Sequence, residues 1–183
     1  MLKGSMIVAA GALCVLPLLG MAPRPQPAIT PAAWTLAEDG LVWKGPDGKP
    51  RKLAFGVSRA AAIAAVTAVS GMPLASGTYP DCGQGVPMGH ADFRGGLSLL
   101  FLRGKFSGWE VSDKGDPKLR TARGVGIGAT RAALKAAYPK VEIAEDSLGV
   151  QFTEEGAPSG FIDEDSPKGR VTSLYAGETC AIS

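Results

Sequence analysis

The sequence predicts an α+β protein: two related helix-plus-antiparallel-strand units forming one twisted antiparallel sheet, with helices packed on one face. Three observations predict it. A twelve-residue stretch recurs at an offset of 72 residues, and each copy is followed by strand-like segments. The connections between those segments are too short for parallel crossovers. The 25 Gly and 14 Pro among 183 residues imply many turns and short elements, while 45% apolar residues supply enough core for one compact domain.

Residues 1–28 read as a leader: Lys3, then a run without charge at 6–19, then Pro23-Arg24-Pro25-Gln26-Pro27. The run is broken by Pro17 and falls short of the about 20 apolar residues of a membrane-spanning helix. A secretory signal is the expectation. Cleavage after Ala22 or near Ala28, and retention as an uncleaved membrane anchor, all stay open. The formal charge of +2 comes from Lys3 and Arg24; the remainder carries 17 basic and 17 acidic residues, which argues against nucleic-acid binding through bulk charge. Cys82 and Cys180 are an even pair in a chain expected to reach an oxidising compartment, and they are predicted to form a disulfide.

Residues 29–52 form an N-terminal extension with a hairpin expected around Gly45-Pro46-Asp47-Gly48. Unit 1 spans 53–112 and unit 2 spans 119–183. Phe55-Gly56-Val57-Ser58-Arg59 aligns with Ile127-Gly128-Ala129-Thr130-Arg131. Glycine permits the turn and the hydroxyl caps the helix that follows, so helices are expected over 59–69 and 131–138. Strands are expected over 97–102, 106–111, 148–153, 159–163 and 170–176. Residues 78–92 read as a loop at the sheet edge, and 113–118 as the boundary between units.

This order of elements, closing on Val171-Thr172-Ser173-Leu174-Tyr175-Ala176-Gly177 and Cys180, resembles small exported bacterial tandem-repeat proteins. It is similar in organisation to the beta-lactamase inhibitory protein and to outer-membrane assembly lipoproteins of the SmpA/OmlA type. The resemblance covers residues 53–180 and implies the fold. Leu13 before Cys14 departs from the small residue of a lipid-attachment motif. No inhibitory-loop residue matches position by position, so none is carried over.

The chemistry offered is sparse. His90 is the one histidine, in Gly89-His90-Ala91-Asp92 near Asp81, and reads as a loop residue. A zinc site needs several Cys or His ligands, so no metal is expected. No nucleophile elbow or phosphate loop is present, and no catalytic residue is assigned. Gly124-Val125-Gly126-Ile127-Gly128-Ala129 matches a loose dinucleotide fingerprint, but the polar stretch 118–123 before it does not suit a buried parallel strand, so no cofactor is expected. Eight acids without a Lys or Arg lie within 141–165, including Asp163, Glu164 and Asp165, and read as solvated loop charges. Trp109 sits on a strand as either a core residue or a binding anchor.

These readings converge on an exported, non-enzymatic binding or interaction module of the bacterial envelope, periplasmic or secreted, or held at the inner membrane by its leader. Its expected partner is another envelope protein or a small ligand, with membrane contact only through an uncleaved leader. The expected surface is the sheet face without helices, with Tyr79, His90, Trp109, Asp163, Glu164 and Asp165 as contact residues. The alternatives are a small periplasmic enzyme using carboxylates or His90, and an anchored structural protein.

Overall fold

A computed structural model describes residues 34–82 and 85–180; the leader expectations lie outside the described residues. The architecture is α+β, two helices on mostly antiparallel sheets. The chain opens with β1 (Thr35–Ala37), β2 (Gly40–Lys44) and β3 (Pro50–Ala54), an antiparallel meander. Helix α1 (Arg59–Ser70) leads to β4 (Ala75–Tyr79), β5 (Met88–Asp92), β6 (Leu97–Leu102) and β7 (Lys105–Val111). After the short β8 (Arg120–Thr121), α2 (Arg131–Ala137) leads to β9 (Glu142–Asp146), β10 (Gly149–Thr153), β11 (Ser159–Ile162) and β12 (Val171–Gly177).

Strands β4 to β7 and β9 to β12 join in one eight-stranded antiparallel sheet, ordered β4-β5-β6-β7-β12-β11-β10-β9. A second sheet, absent from the sequence expectation, has the order β3-β2-β1-β8, with β8 parallel to β1. The whole of α1 and six strands intervene between β1 and β8. That crossover is long enough for the parallel pairing that short local loops exclude.

Each helix starts the same way. Ser58 Oγ accepts from Ala61 N and Thr130 Oγ1 accepts from Ala133 N, which satisfies an amide that the first helical turn leaves unpaired. Gly56 N donates to Phe106 O at 2.7 Å and Gly128 N donates to Val171 O at 2.8 Å. Phe106 N returns a bond to Val57 O, as Val171 N does to Ala129 O. Arg59 N and Arg131 N donate to Gly104 O and Gly169 O, both at 2.9 Å. Gly56 and Gly128 have positive φ, at 91° and 79°, which explains the glycine in both copies.

The main core lies on one face of the large sheet. Ala62 and Val66 of α1, Leu134 of α2, and Leu36, Leu41 and Leu53 of the small sheet pack with Leu99, Phe101, Phe106, Phe152 and Leu174. Trp109 belongs here: its Nε1 donates to Ala37 O at 2.8 Å, joining the two sheets. Burying that indole with its polar atom paired gains apolar area without leaving a donor unsatisfied.

Candidate binding site on the open sheet face

Side chains alternate across a strand, so the residues opposite the main core form a second surface. At the β4 end that surface is covered. Cys82 and Cys180 form a disulfide and pack with the buried Met88 and Leu100, beside Tyr79 and Leu102. The predicted bridge therefore carries a small apolar cluster over the outer face. It also draws the segment after β12 back across the sheet, close above Gly108. A Cβ there would lie 2.1 Å from Glu178 O, so only glycine admits this crossing.

Beyond the cluster runs a row of polar side chains. Cross-strand register sets Asp92 beside Ser98, Ser98 beside Glu110, Glu110 beside Tyr175, and Tyr175 beside Ser159. Ser98 Oγ donates to Asp92 Oδ1 at 2.9 Å, and His90 Nδ1 lies 3.2 Å from the same oxygen. The ring of His90 stacks on Tyr79 with centroids 4.5 Å apart. It lies across Gly77, where a Cβ would come within 2.6 Å of Nε2. Gln151 donates to the hydroxyl of Tyr175.

The arrangement of His90, Asp92 and Ser98 is not that of a nucleophilic triad. A triad places the imidazole between hydroxyl and carboxylate so that the ring can take the hydroxyl proton. Here Asp92 occupies the middle and accepts the hydrogen bond from the Ser98 hydroxyl itself, so no imidazole stands beside Ser98.

Glu110 is half-buried, and no ion pair or hydrogen bond from a described residue engages its carboxylate. Burial raises its pKa above the ordinary 4.5; Asp92 raises it further and His90 opposes this. Burial also raises Tyr79, reinforced by Asp92 and Glu110. Burial raises Tyr175, against the lowering effect of hydrogen bonds with Gln151 and Ser159. Glu110 and Tyr175 line a groove of about 260 Å³ together with Phe161, Ser173 and Thr179.

The sequence-derived contact residues meet different fates. Tyr79 and His90 reach the outer face, but from strands β4 and β5 rather than from the expected loop. His90 pairs with Asp92, not with Asp81. Trp109 takes its core alternative and presents no surface. Asp163 lines a second groove of about 550 Å³ that adjoins the first at Phe161. Glu164 serves its own loop, accepting from Ser166 Oγ at 2.6 Å, and Asp165 ties that loop to α2 by pairing with Arg131. Glu142, Glu145 and Asp146, read as loop charges, lie on the edge strand β9. Among the described residues no group of three His, Cys, Asp or Glu side chains is gathered as a metal site.

Sequence reasoning missed Glu110, Asp92 and Thr179. The available signal was alternation: with Trp109 and Val111 inward, Glu110 must face outward between them. No protein-family model, curated protein or solved structure matches the chain.

Proposed function

We propose that this protein is an exported, non-enzymatic binding module of the bacterial envelope that holds a partner protein or small ligand on the open face of its large sheet. The observation that carries the reading is the contrast between the faces. One is closed by two helices and a second sheet, whereas the other bears a polar row and grooves beside a disulfide-fastened wall. A disulfide suits an oxidising compartment, in keeping with export. The paired helix starts support the reading of two related units in one sheet with the helices on one face, as in the tandem-repeat proteins the sequence resembles.

The test is a native mass spectrum of the protein recovered from its own cells without reductant, for the unaltered chain and for Phe161→Ala. Phe161 lines the groove and is not part of the main core. A discrete retained mass on the first and its loss from the folded variant is the expected result. Equal retention by both, or none by either, would overturn the assignment.

The His90 and Asp92 pair favours a second reading, a small periplasmic enzyme in which His90 moves a proton. His90→Ala separates the two. An enzyme converts its recovered ligand when unaltered and leaves it unconverted in the variant, while a binding module converts it in neither.

A further inference from the structure

We infer that the protein pairs with a second copy of itself, edge strand β4 against edge strand β4, about a two-fold axis at Gly77. The inference goes beyond the binding-module reading and uses none of the groove residues. Among the described residues both ends of the large sheet are edges, β4 at one and β9 at the other. An edge strand carries backbone N–H and C=O groups that no neighbour engages, and proteins guard such strands with charge, proline or a covering segment. The two edges hold equivalent places, each following a helix, yet only one is guarded.

Strand β9 is the guarded edge. It carries Glu142, Glu145 and Asp146, and two-fold pairing with a copy would set Glu142 against the partner's Asp146. Strand β4, Ala75-Ser76-Gly77-Thr78-Tyr79, carries no charge, and no Asp, Glu, Lys, Arg or His occurs anywhere from Ala60 to Pro80. Large apolar side chains are exposed just before it, Met72 at 73% and Leu74 at 63%. Uncharged backbone edge and exposed apolar side chains together are what strand addition uses: main-chain bonds supply affinity and flanking side chains supply fit.

The strand's own sequence selects a second copy as the occupant. Pro73 and Pro80 bracket β4, and proline cannot donate to a ladder, so pairing is confined to the residues between them. Facing residues of antiparallel strands share one side of the sheet, so a slip of one residue is forbidden. Centring on Gly77 is then the register that pairs all five residues and leaves both prolines outside. Ala75 faces the partner's Tyr79, Ser76 faces the partner's Thr78, and Gly77 faces its own copy. A small residue thus meets an aromatic ring and a hydroxyl meets a hydroxyl, both favourable cross-strand matches. At the axis stands a residue without a side chain, across which the His90 ring already lies. One step further the exposed Leu74 faces the partner's Pro80, and no like charges meet anywhere along the pair. Two-fold pairing also closes on itself, whereas β4 laid on β9 of another copy would repeat into a filament. The axis is perpendicular to the sheet, so the dimer presents both outer-face grooves in one direction.

The experiment is sedimentation equilibrium of the oxidised protein over a dilution series, with backbone amide exchange measured on the same samples. The unaltered protein should form a dimer that dissociates on dilution. Amide exchange within 75–79 should slow at least about tenfold from the dilute to the concentrated sample, while that of β9 stays the same. Ser76→Lys with Thr78→Lys puts like charges in both facing pairs and should weaken the dimer at least about 100-fold. Ser76→Lys with Thr78→Glu puts opposite charges in the same pairs and should stay within about tenfold of the unaltered protein. Both positions are exposed, and circular dichroism checks that the variants fold. A monomer at every concentration up to about 1 mM, or equal weakening by the two double variants, would overturn the inference. So would β4 amides protected equally at every dilution, because the occupant would then not be a second copy. Should either variant fail to fold, the concentration dependence of β4 exchange in the unaltered protein decides alone.

Discussion

The half of the chain from Gly56 to Val111 and the half from Gly128 to Gly177 start with the same clamp and then part company. In both, a glycine, a capping hydroxyl and an arginine amide fasten a helix to a strand near the middle of the sheet. Afterwards α1 runs 12 residues and α2 only 7, ending at Tyr138 before Pro139. The first arginine turns inward: Arg59 lies 5.1 Å over the ring of Phe101 and donates to His90 O. The second, Arg131, pairs at the surface with Asp165. The outer face differs most. Over the first half it is partly sealed by Cys82, Met88, Leu100 and Cys180, while over the second half it bears open grooves lined by Phe161 and Ser173. Two similar helix starts thus share one inner core, and the halves differ in how far the outer face is covered.

The seal should be the most sensitive feature of the comparison. Replacing both Cys82 and Cys180 by Ser releases a loop of about 100 residues, for which chain entropy predicts a loss of about 4.7 kcal/mol or somewhat less. Urea unfolding of the oxidised and double-Ser proteins checks it. A change below about 1 kcal/mol would mean that the unfolded state gains little freedom from the break.

Next in size is the contrast between faces. Phe152→Ala removes a fully buried inner ring and should cost about 3–5 kcal/mol, whereas Phe161→Ala on the outer face should cost about 1 kcal/mol or less. Matched denaturation curves report both, and similar losses would abolish the division of labour. The caps sharpen the comparison further. Ser58→Ala and Thr130→Ala should each cost about 1 kcal/mol, because each removes the same amide acceptor. Unequal losses would show that the shorter α2 depends less on its first turn than on Leu134 and Tyr138.

The smallest effect is the titration of Glu110. Its folded pKa is raised, so between the ordinary 4.5 and the raised value the native protein binds more protons than the unfolded chain. Stability should therefore fall as pH rises through that window, and Glu110→Gln should remove this component. Parallel pH dependences in the two proteins would contradict the burial assigned to Glu110.

Much of the scaffold is legible from residues alone. The Gly-x-Ser/Thr-Arg stretches locate both helices to within a residue at their starts, and apolar runs locate β6, β7, β10, β11 and β12. The disulfide follows from an even thiol count together with the expectation of export. Four strands escape: β8 is two residues within a polar stretch, and the other three each have a physical reason. Residues 75–79, Ala-Ser-Gly-Thr-Tyr, and 88–92, Met-Gly-His-Ala-Asp, hold few large apolar side chains. Gly77 and Gly89 leave room there for the His90 ring and the Arg59 guanidinium. Strand β9 is acidic because it is an edge, where charge keeps the exposed backbone from pairing with another chain. The groove escapes almost entirely, since Glu110, Phe161, Tyr175 and Thr179 are far apart in sequence and only the pairing of β7, β12 and β11 gathers them.

The most direct test of the division between faces is carboxyl labelling of the protein as recovered with its retained partner and again after that partner is stripped, read residue by residue by mass spectrometry. Glu110 and Asp163 should label more slowly in the loaded protein, while Asp39 and Asp47 on the far sheet label at the same rate in both states. Equal labelling of Glu110 and Asp163 in the two states, or shielding confined to the far sheet, would contradict recognition through the open face.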